Sequence, residues 1–188
     1  MTGCFSFYPT KNLSAIGDGG IITTNSKSIY IKLKKLRQYG WEKKDNSSIK
    51  GINSRLDELQ AAILRVKLKN LNKNNLERRK IAKNYLKYLK NNKIILPEVI
   101  NINNHVFHHF LIKLKNVSRT HLIREFKKKG IQLNVHYPVP LNKQKAFKNS
   151  NRKLKNCDEV SKKIVSLPIY PGLKKRYQLK IIKNLNNL

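Results

Sequence analysis

The chain is poor in acid. Of its 188 residues, 10 are aspartate or glutamate, against 41 lysines and arginines, so the formal charge is +31 at pH 7. It has little cysteine, and Cys4 and Cys157 are too few for a disulfide framework and too far apart for a zinc knuckle. It lacks long apolar runs, since none approaches the ~20 residues of a membrane span. Met1-Thr2-Gly3-Cys4-Phe5 has no basic stretch ahead of an apolar one, so no secretory signal is expected. These absences predict a cytoplasmic, reduced protein with no membrane partner. What is present argues for a folded chain: 39% of residues are hydrophobic and they are spread throughout. The length suits one full-sized domain or two small ones.

So basic a balance suggests a polyanionic partner, but the residue types weaken that reading. Lysine far outnumbers arginine, and asparagine and isoleucine are abundant. All three use adenine- and thymine-rich codons, so genome composition alone pushes a chain this way. Arginine is the residue whose planar fork grips phosphate and guanine. Here the lysines run from Lys27 to Lys183 without a basic-aromatic stripe or a nucleic-acid-binding motif. Salt-sensitive, nonspecific adhesion to polyanions is expected whatever the function, and no specific nucleic-acid partner.

Phe5 to Tyr8 reads as a buried strand, Gly17-Asp18-Gly19-Gly20 as a tight turn, and Ile21 to Thr24 as a second strand. The glycines are expected to serve positive backbone angles in that turn. Asn25 or Ser26 caps a helix ended by Gly40, and Trp41 to Lys50 reads as a polar loop. Asn53 or Ser54 caps a long helical pattern, Leu56, Leu59, Ile63 and Val66, then Ile81, Tyr85 and Leu89. A break is expected near Asn72 to Asn75. Beyond Pro97 the order is strand Val106 to Leu114, helix Thr120 to Lys129 capped by Gly130, and strand Ile131 to His136. A polar loop spans Lys143 to Asn151, with a short apolar turn at Ala146 and Phe147. A helix then starts near Asn156 and ends before Leu167-Pro168, and another runs from Lys174 to Leu185. The first strand has no earlier element to pair with, so the chain reads like the second half of something.

Four segments in order carry a resemblance. They are Ser6-Phe7-Tyr8-Pro9-Thr10-Lys11-Asn12-Leu13 with Gly17-Asp18-Gly19-Gly20; Gly51-Ile52-Asn53-Ser54-Arg55-Leu56-Asp57-Glu58-Leu59-Gln60-Ala61-Ala62; His136-Tyr137-Pro138-Val139-Pro140-Leu141; and Leu167-Pro168-Ile169-Tyr170-Pro171-Gly172-Leu173. Together they resemble the sugar-nucleotide aminotransferases of the DegT/DnrJ/StrS type, pyridoxal 5'-phosphate (PLP) enzymes of fold type I. The implied fold is α/β and partial. Residues 1–75 would be the C-terminal remnant of the large PLP domain with a long connecting helix, and residues 76–188 a small C-terminal α/β domain.

The resemblance implies roles. Lys11 matches the Schiff-base lysine, whose amine bonds the PLP aldehyde and then moves a proton as general acid–base. Ser6 matches a serine that holds the PLP phosphate, and is equally read as an ordinary strand serine. Asn53 matches an asparagine that reaches the phosphate of the neighbouring subunit in family homodimers, and is also an unremarkable helix cap. Arg55 and Asp57 are expected to pair near the helix start. His108, His136 and Tyr137 fall near the family's sugar pocket; structural histidines are the competing view. A metal reading of His105, His108 and His109 is disfavoured because neighbours in a strand face opposite ways.

The implied reaction transfers an amino group from glutamate to a keto sugar on a nucleoside diphosphate, for surface polysaccharide or related amino sugars. Lys11, rather than histidine, speaks against the related dehydratases, and Phe7-Tyr8-Pro9 leans towards 3-keto sugars. The aspartate that pairs with the pyridine nitrogen lies upstream in the family, so a chain of these residues alone is expected to be truncated and to bind PLP poorly. A noncatalytic remnant domain and a basic polyanion-binding protein are the alternatives.

Overall fold

Short apolar stretches bounded by turn residues set up the N-terminal strands. In the computed structural model, which describes residues 1–147 and 154–188, the chain divides into two units, Met1–Asn72 and Lys73–Leu188.

In the first unit, β1 (Thr2–Ser6) pairs antiparallel with β2 (Gly20–Thr24), Thr2 opposite Thr24 and Ser6 opposite Gly20. The strand expected at Phe5 to Tyr8 therefore lies earlier. Phe7 belongs to the following loop: its N–H donates to the Gly19 carbonyl at 2.8 Å, and its carbonyl accepts from Ala15 N at 2.8 Å. The turn glycines are not at positive φ, contrary to expectation. Close approach is what Gly20 serves, since a Cβ there would stand 3.0 Å from the Phe5 carbonyl, whereas one on Gly19 would meet only the movable tip of Leu56, at 2.9 Å.

Ser26 caps α1 (Lys27–Leu36), its hydroxyl accepting from Ile29 N at 3.4 Å. The segment read as a polar loop is a hairpin, β3 (Trp41–Lys43) with β4 (Asn46–Ser47), and Asp45 (φ 62°) makes its turn. Its strands are short and polar, so no alternation betrayed them. Gly40 (φ 76°) packs so closely on this segment that a Cβ would stand 1.7 Å from the Ile49 carbonyl.

Asn53 and Ser54 do not cap the next helix, because residues 52–54 pair with the end of α1 and the residues just after it. Ile52 N donates to Leu36 O at 2.8 Å, Ser54 N to Arg37 O at 2.9 Å, and Asn53 bridges Gln38. Helix α2 (Glu58–Leu68) begins after Asp57, whose side chain makes no capping bond. The break comes at Lys69 and Asn70, earlier than expected, and α3 (Leu71–Tyr88) follows. The core of this unit is small: Phe7, Ala15 and Leu64, with Leu13 and Leu56 packed on it. Phe5, Ile21 and Ile22 on the two-stranded sheet remain exposed.

The second unit is built on an antiparallel sheet, β5 (Ile94–Ile95), β6 (Phe110–Leu114) and β7 (Ile164–Leu167), in that order. Along β6, Phe110, Ile112 and Leu114 are buried while Leu111 and Lys113 are half-buried, the period-two pattern of a strand with one core face. Helices α4 (Arg119–Lys128), α5 (Lys155–Lys163) and α6 (Lys175–Asn186) complete it. Ser118 caps α4, and Gly130 (φ 71°) ends it, with Ile131 N donating to Phe126 O at 2.9 Å. The core joins Tyr85 of α3 to Phe110, Leu122, Phe126, Val165 and Leu185.

Three expectations for this unit are corrected. The strand predicted from Val106 starts at Phe110, because Phe107 takes φ 41° and breaks the extended run. The strand predicted over Ile131 to His136 is only a bridge between Asn134 and Ser166. The last residues of the predicted 156–166 helix form β7, where Ile164, Val165 and Leu167 are buried against β6. Lys145–Phe147 is a 3-10 turn, as its apolar residues suggested, and the remainder of the predicted loop, residues 148–151, lies outside the described residues.

Candidate active site

Lys11 sits on a loop built by hydrogen bonds. Its N–H donates to Tyr8 O at 2.8 Å, closing a turn after Pro9, and the Phe7–Ala15 bond cinches the loop at its base. Helix α2 pins the outgoing limb. Gln60 Oε1 accepts from Ile16 N at 2.9 Å, while Lys67 Nζ donates to Ser14 O at 2.8 Å and contacts its hydroxyl at 3.0 Å. Sequence reasoning missed both of these supports. The signal available was their spacing: positions 60 and 67 are seven apart, two helical turns on one face.

Ser6 closes β1 and is exposed, and its Oγ accepts from Tyr8 N at 3.2 Å, which leaves the hydroxyl proton to donate outward. Lys11 is half-buried, and its ammonium makes no hydrogen bond or ion pair with any of the described residues. A half-buried lysine whose amine has no competing carboxylate among the described residues, five positions from an outward hydroxyl, fits an aldehyde-bearing phosphate ester such as PLP. Asn53 lies in the same unit but faces a different task, since its Oδ1 accepts from Arg55 Nε at 2.9 Å. Arg55 thus pairs with Asn53 rather than with Asp57, contrary to expectation.

In the second unit, the histidines form a row. The His108 and His109 rings lie 4.0 Å apart at 43°, and His109 stacks on His136 at 3.9 Å and 21°. Tyr137, exposed, meets His136 edge-on at 5.6 Å. His136 is held by a 2.7 Å hydrogen bond between its Nδ1 and Oγ of Ser166, a buried residue on β7. His108 and His109 precede β6, so the argument that they face opposite ways does not hold. His109, unassigned by sequence reasoning, is the centre of the row. Among the described residues, no three histidine, cysteine, aspartate or glutamate side chains are disposed to hold a metal ion.

No helix among the described residues is long and apolar enough to cross a membrane.

The pattern of the DegT/DnrJ/EryC1/StrS aminotransferase family matches residues 1–186. Over 183 residues the chain is 42% identical to the dTDP-3-amino-3,6-dideoxy-alpha-D-galactopyranose transaminase of Aneurinibacillus thermoaerophilus, covering 97% of this chain and 50% of that protein. It is 37% identical over 177 residues to the UDP-N-acetyl-3-dehydro-alpha-D-glucosamine 3-aminotransferase of Acidithiobacillus ferrooxidans, covering 92% of this chain and 46% of that protein. Among solved structures, S. venezuelae DesV, in complex with a ketimine intermediate, superposes with a TM-score of 0.92 at 34% identity, covering 99% of this chain and 51% of that one. NtdA of Bacillus subtilis, solved with the bound cofactor PMP, gives 0.90 at 28% identity, covering 99% of this chain and 45% of that one. The chain spans about half the length of the curated relatives it matches.

Proposed function

Since the chain belongs to the DegT/DnrJ/EryC1/StrS aminotransferase family and has the α/β architecture of a partial fold type I aminotransferase, we propose that it carries the lysine of a PLP-dependent transfer of an amino group to a keto sugar of a nucleoside-diphosphate sugar. The observation that carries this reading is Lys11, half-buried, on a loop fastened by Gln60 and Lys67, with no acidic partner among the described residues. On this reading residues 1–75 are the cofactor-bearing part of the large domain. Residues 76–188 are the small α/β domain that carries the sugar pocket.

Bound PLP supplies an aldehyde carbon and an electron-withdrawing ring, which together make amino-group exchange and loss of the adjacent proton feasible. The chain supplies the rest. Lys11 Nζ holds the cofactor and then carries a proton between two carbons as general acid–base. Ser6 Oγ donates to the phosphate, and Asn53 reaches the phosphate of a second subunit in a homodimer. His108, His136 and Tyr137 bind the sugar, offering ring faces and nitrogen or hydroxyl groups to its hydroxyls. Glutamate is the amino donor, the cytoplasm the site of reaction, and surface polysaccharide or a related amino sugar the destination. Amination at C3 is supported by the Phe7-Tyr8-Pro9 sequence and by the names of both relatives above, one a 3-amino sugar transaminase and the other a 3-aminotransferase of a 3-dehydro sugar.

Borohydride reduction of the native protein, purified from its source and incubated with PLP, tests this. One stable pyridoxyl adduct, mapped to Lys11 and lost in Lys11→Ala, is expected. Adducts scattered over many lysines without preference would overturn the assignment.

A further inference from the structure

Arg78 is a charged side chain deep in the second unit, 7% exposed, and no acidic group pairs with it among the described residues. The adjacent Glu77 is engaged elsewhere, its carboxylate accepting from Gly172 N at 2.9 Å. One guanidinium nitrogen instead donates to three main-chain carbonyls: Ile169 at 2.9 Å, Phe107 at 3.1 Å and His108 at 3.4 Å. Its Nε is buried and makes no hydrogen bond among the described residues. Burial lowers the pKa of the guanidinium, the mark of a cation held without a counter-charge.

A cation buried this way is poor stabilisation, since apolar side chains of similar volume commonly do as well or better. What it offers is geometry. Two of the three carbonyls belong to the segment that introduces the imidazole row. Phe107 holds φ 41°, a region unfavourable for a bulky residue, which persists only where the surroundings over-determine it. Arg78 grips that residue's carbonyl and the next. His105 secures the same turn from the other side, its Nδ1 accepting from Phe107 N at 2.9 Å. The left-handed residue directs the chain so that His108 and His109 meet His136 before β6 begins.

We infer that Arg78 is a positioning residue that fixes the Phe107–His108 turn and thereby assembles the His108–His109–His136 row. Its significance for substrate rests on the reading of that row as the sugar pocket.

Imidazole proton and carbon spectra of the full chain, Arg78→Met against the parent, test this. In folded Arg78→Met, His109 is expected to lose the ring-current displacement that two rings at about 4 Å impose. The signals of Leu122 and Phe126, buried on α4, should stay in place. Unchanged His109 signals in the folded variant overturn the inference, because a merely structural arginine would lower the melting point and leave them alone. If Arg78→Met does not fold, Arg78→Gln keeps part of the stem and an amide nitrogen but is too short to reach the three carbonyls. Loss of the His109 displacement then supports the inference, and an intact row overturns it. UDP-N-acetylglucosamine added to the parent separates the two readings. If the probe leaves all three imidazoles unmoved, the pocket assignment falls, while the Arg78 result stands on the variants alone.

Discussion

Replacing Gln60 by alanine removes one acceptor from the loop that presents Lys11, and the consequence can be worked out locally. The lost bond is Ile16 N–H to Gln60 Oε1, 2.9 Å, neutral on both sides. Such a bond contributes about 0.5–1.5 kcal/mol net. Ile16 is 67% exposed, so water takes up the freed amide and the lower half of that range applies. The loop's opening equilibrium should rise about 2- to 5-fold, since 1.36 kcal/mol is tenfold. Lys67 still holds Ser14, so the limb loosens without detaching. The assay is native-state amide exchange followed residue by residue. Ile16 is expected to exchange about 2- to 5-fold faster in Gln60→Ala, while the amide of Phe7, bonded to Gly19 within the same unit, keeps its rate. Equal acceleration of Ile16 and Phe7 would mean global destabilisation. No change at Ile16 would mean that Gln60 does not fasten the loop. Either result refutes the reasoning.

Two further perturbations address the second unit. Tyr85 is fully buried against Phe110 and donates its hydroxyl to Pro168 O at 2.8 Å, so Tyr85→Phe should cost about 1–3 kcal/mol, read as a lower denaturant midpoint. Burial, and secondarily Tyr170, raise this phenol's pKa above the ordinary tyrosine value of 10.0; its contribution is complete below pH 10 and is lost as pH rises beyond it. Alkaline unfolding should therefore be shallower in Tyr85→Phe, and a parallel pH profile for the two proteins would contradict this. Phe126→Ala opens a cavity at a position 1% exposed, with an expected loss of about 3–5 kcal/mol; a loss below 1 kcal/mol by denaturant titration would show that the site collapses freely.

Elements with strong local patterns are legible in the amino-acid sequence itself. The apolar spacing of α1 and α4, the Ser26 cap and the Gly130 stop each follow from short-range rules, and the structure has all of them. What escaped was set by partners distant in sequence. Strand β7 lies between a charged helix and a proline, and only pairing with β6, more than 50 residues earlier, makes Ile164–Leu167 extended. The start of α2 falls at Glu58, after Asp57, because residues 52–54 are bonded to the end of α1 and the residues just after it. The candidate site divided the same way. Lys11, Ser6, Asn53, His108, His136 and Tyr137 came from the resemblance, while the roles of Gln60, Lys67, His109 and Arg78 emerged only from contacts. The error over His108 and His109 had a physical source: Phe107 at positive φ ends the strand pattern on which the alternation argument relied.

The two units are stabilised by different means, and that bears on how each candidate group responds to change. Among the described residues, nineteen buried apolar side chains form the core of the second unit and three that of the first. Lys11 therefore rests on a loop whose shape comes mainly from directional bonds at Phe7, Ala15, Ser14 and Ile16, with little packing behind them. Removing one such bond shifts a local equilibrium by a small factor. The imidazole row stands on a packed sheet, where neighbours interdigitate and intermediate arrangements are costly. Losing Arg78 should accordingly switch the row from assembled to unassembled, whereas losing Gln60 should only raise how often the Lys11 loop opens. Graded response at the lysine and all-or-none response at the histidines is the pattern that this difference in packing requires.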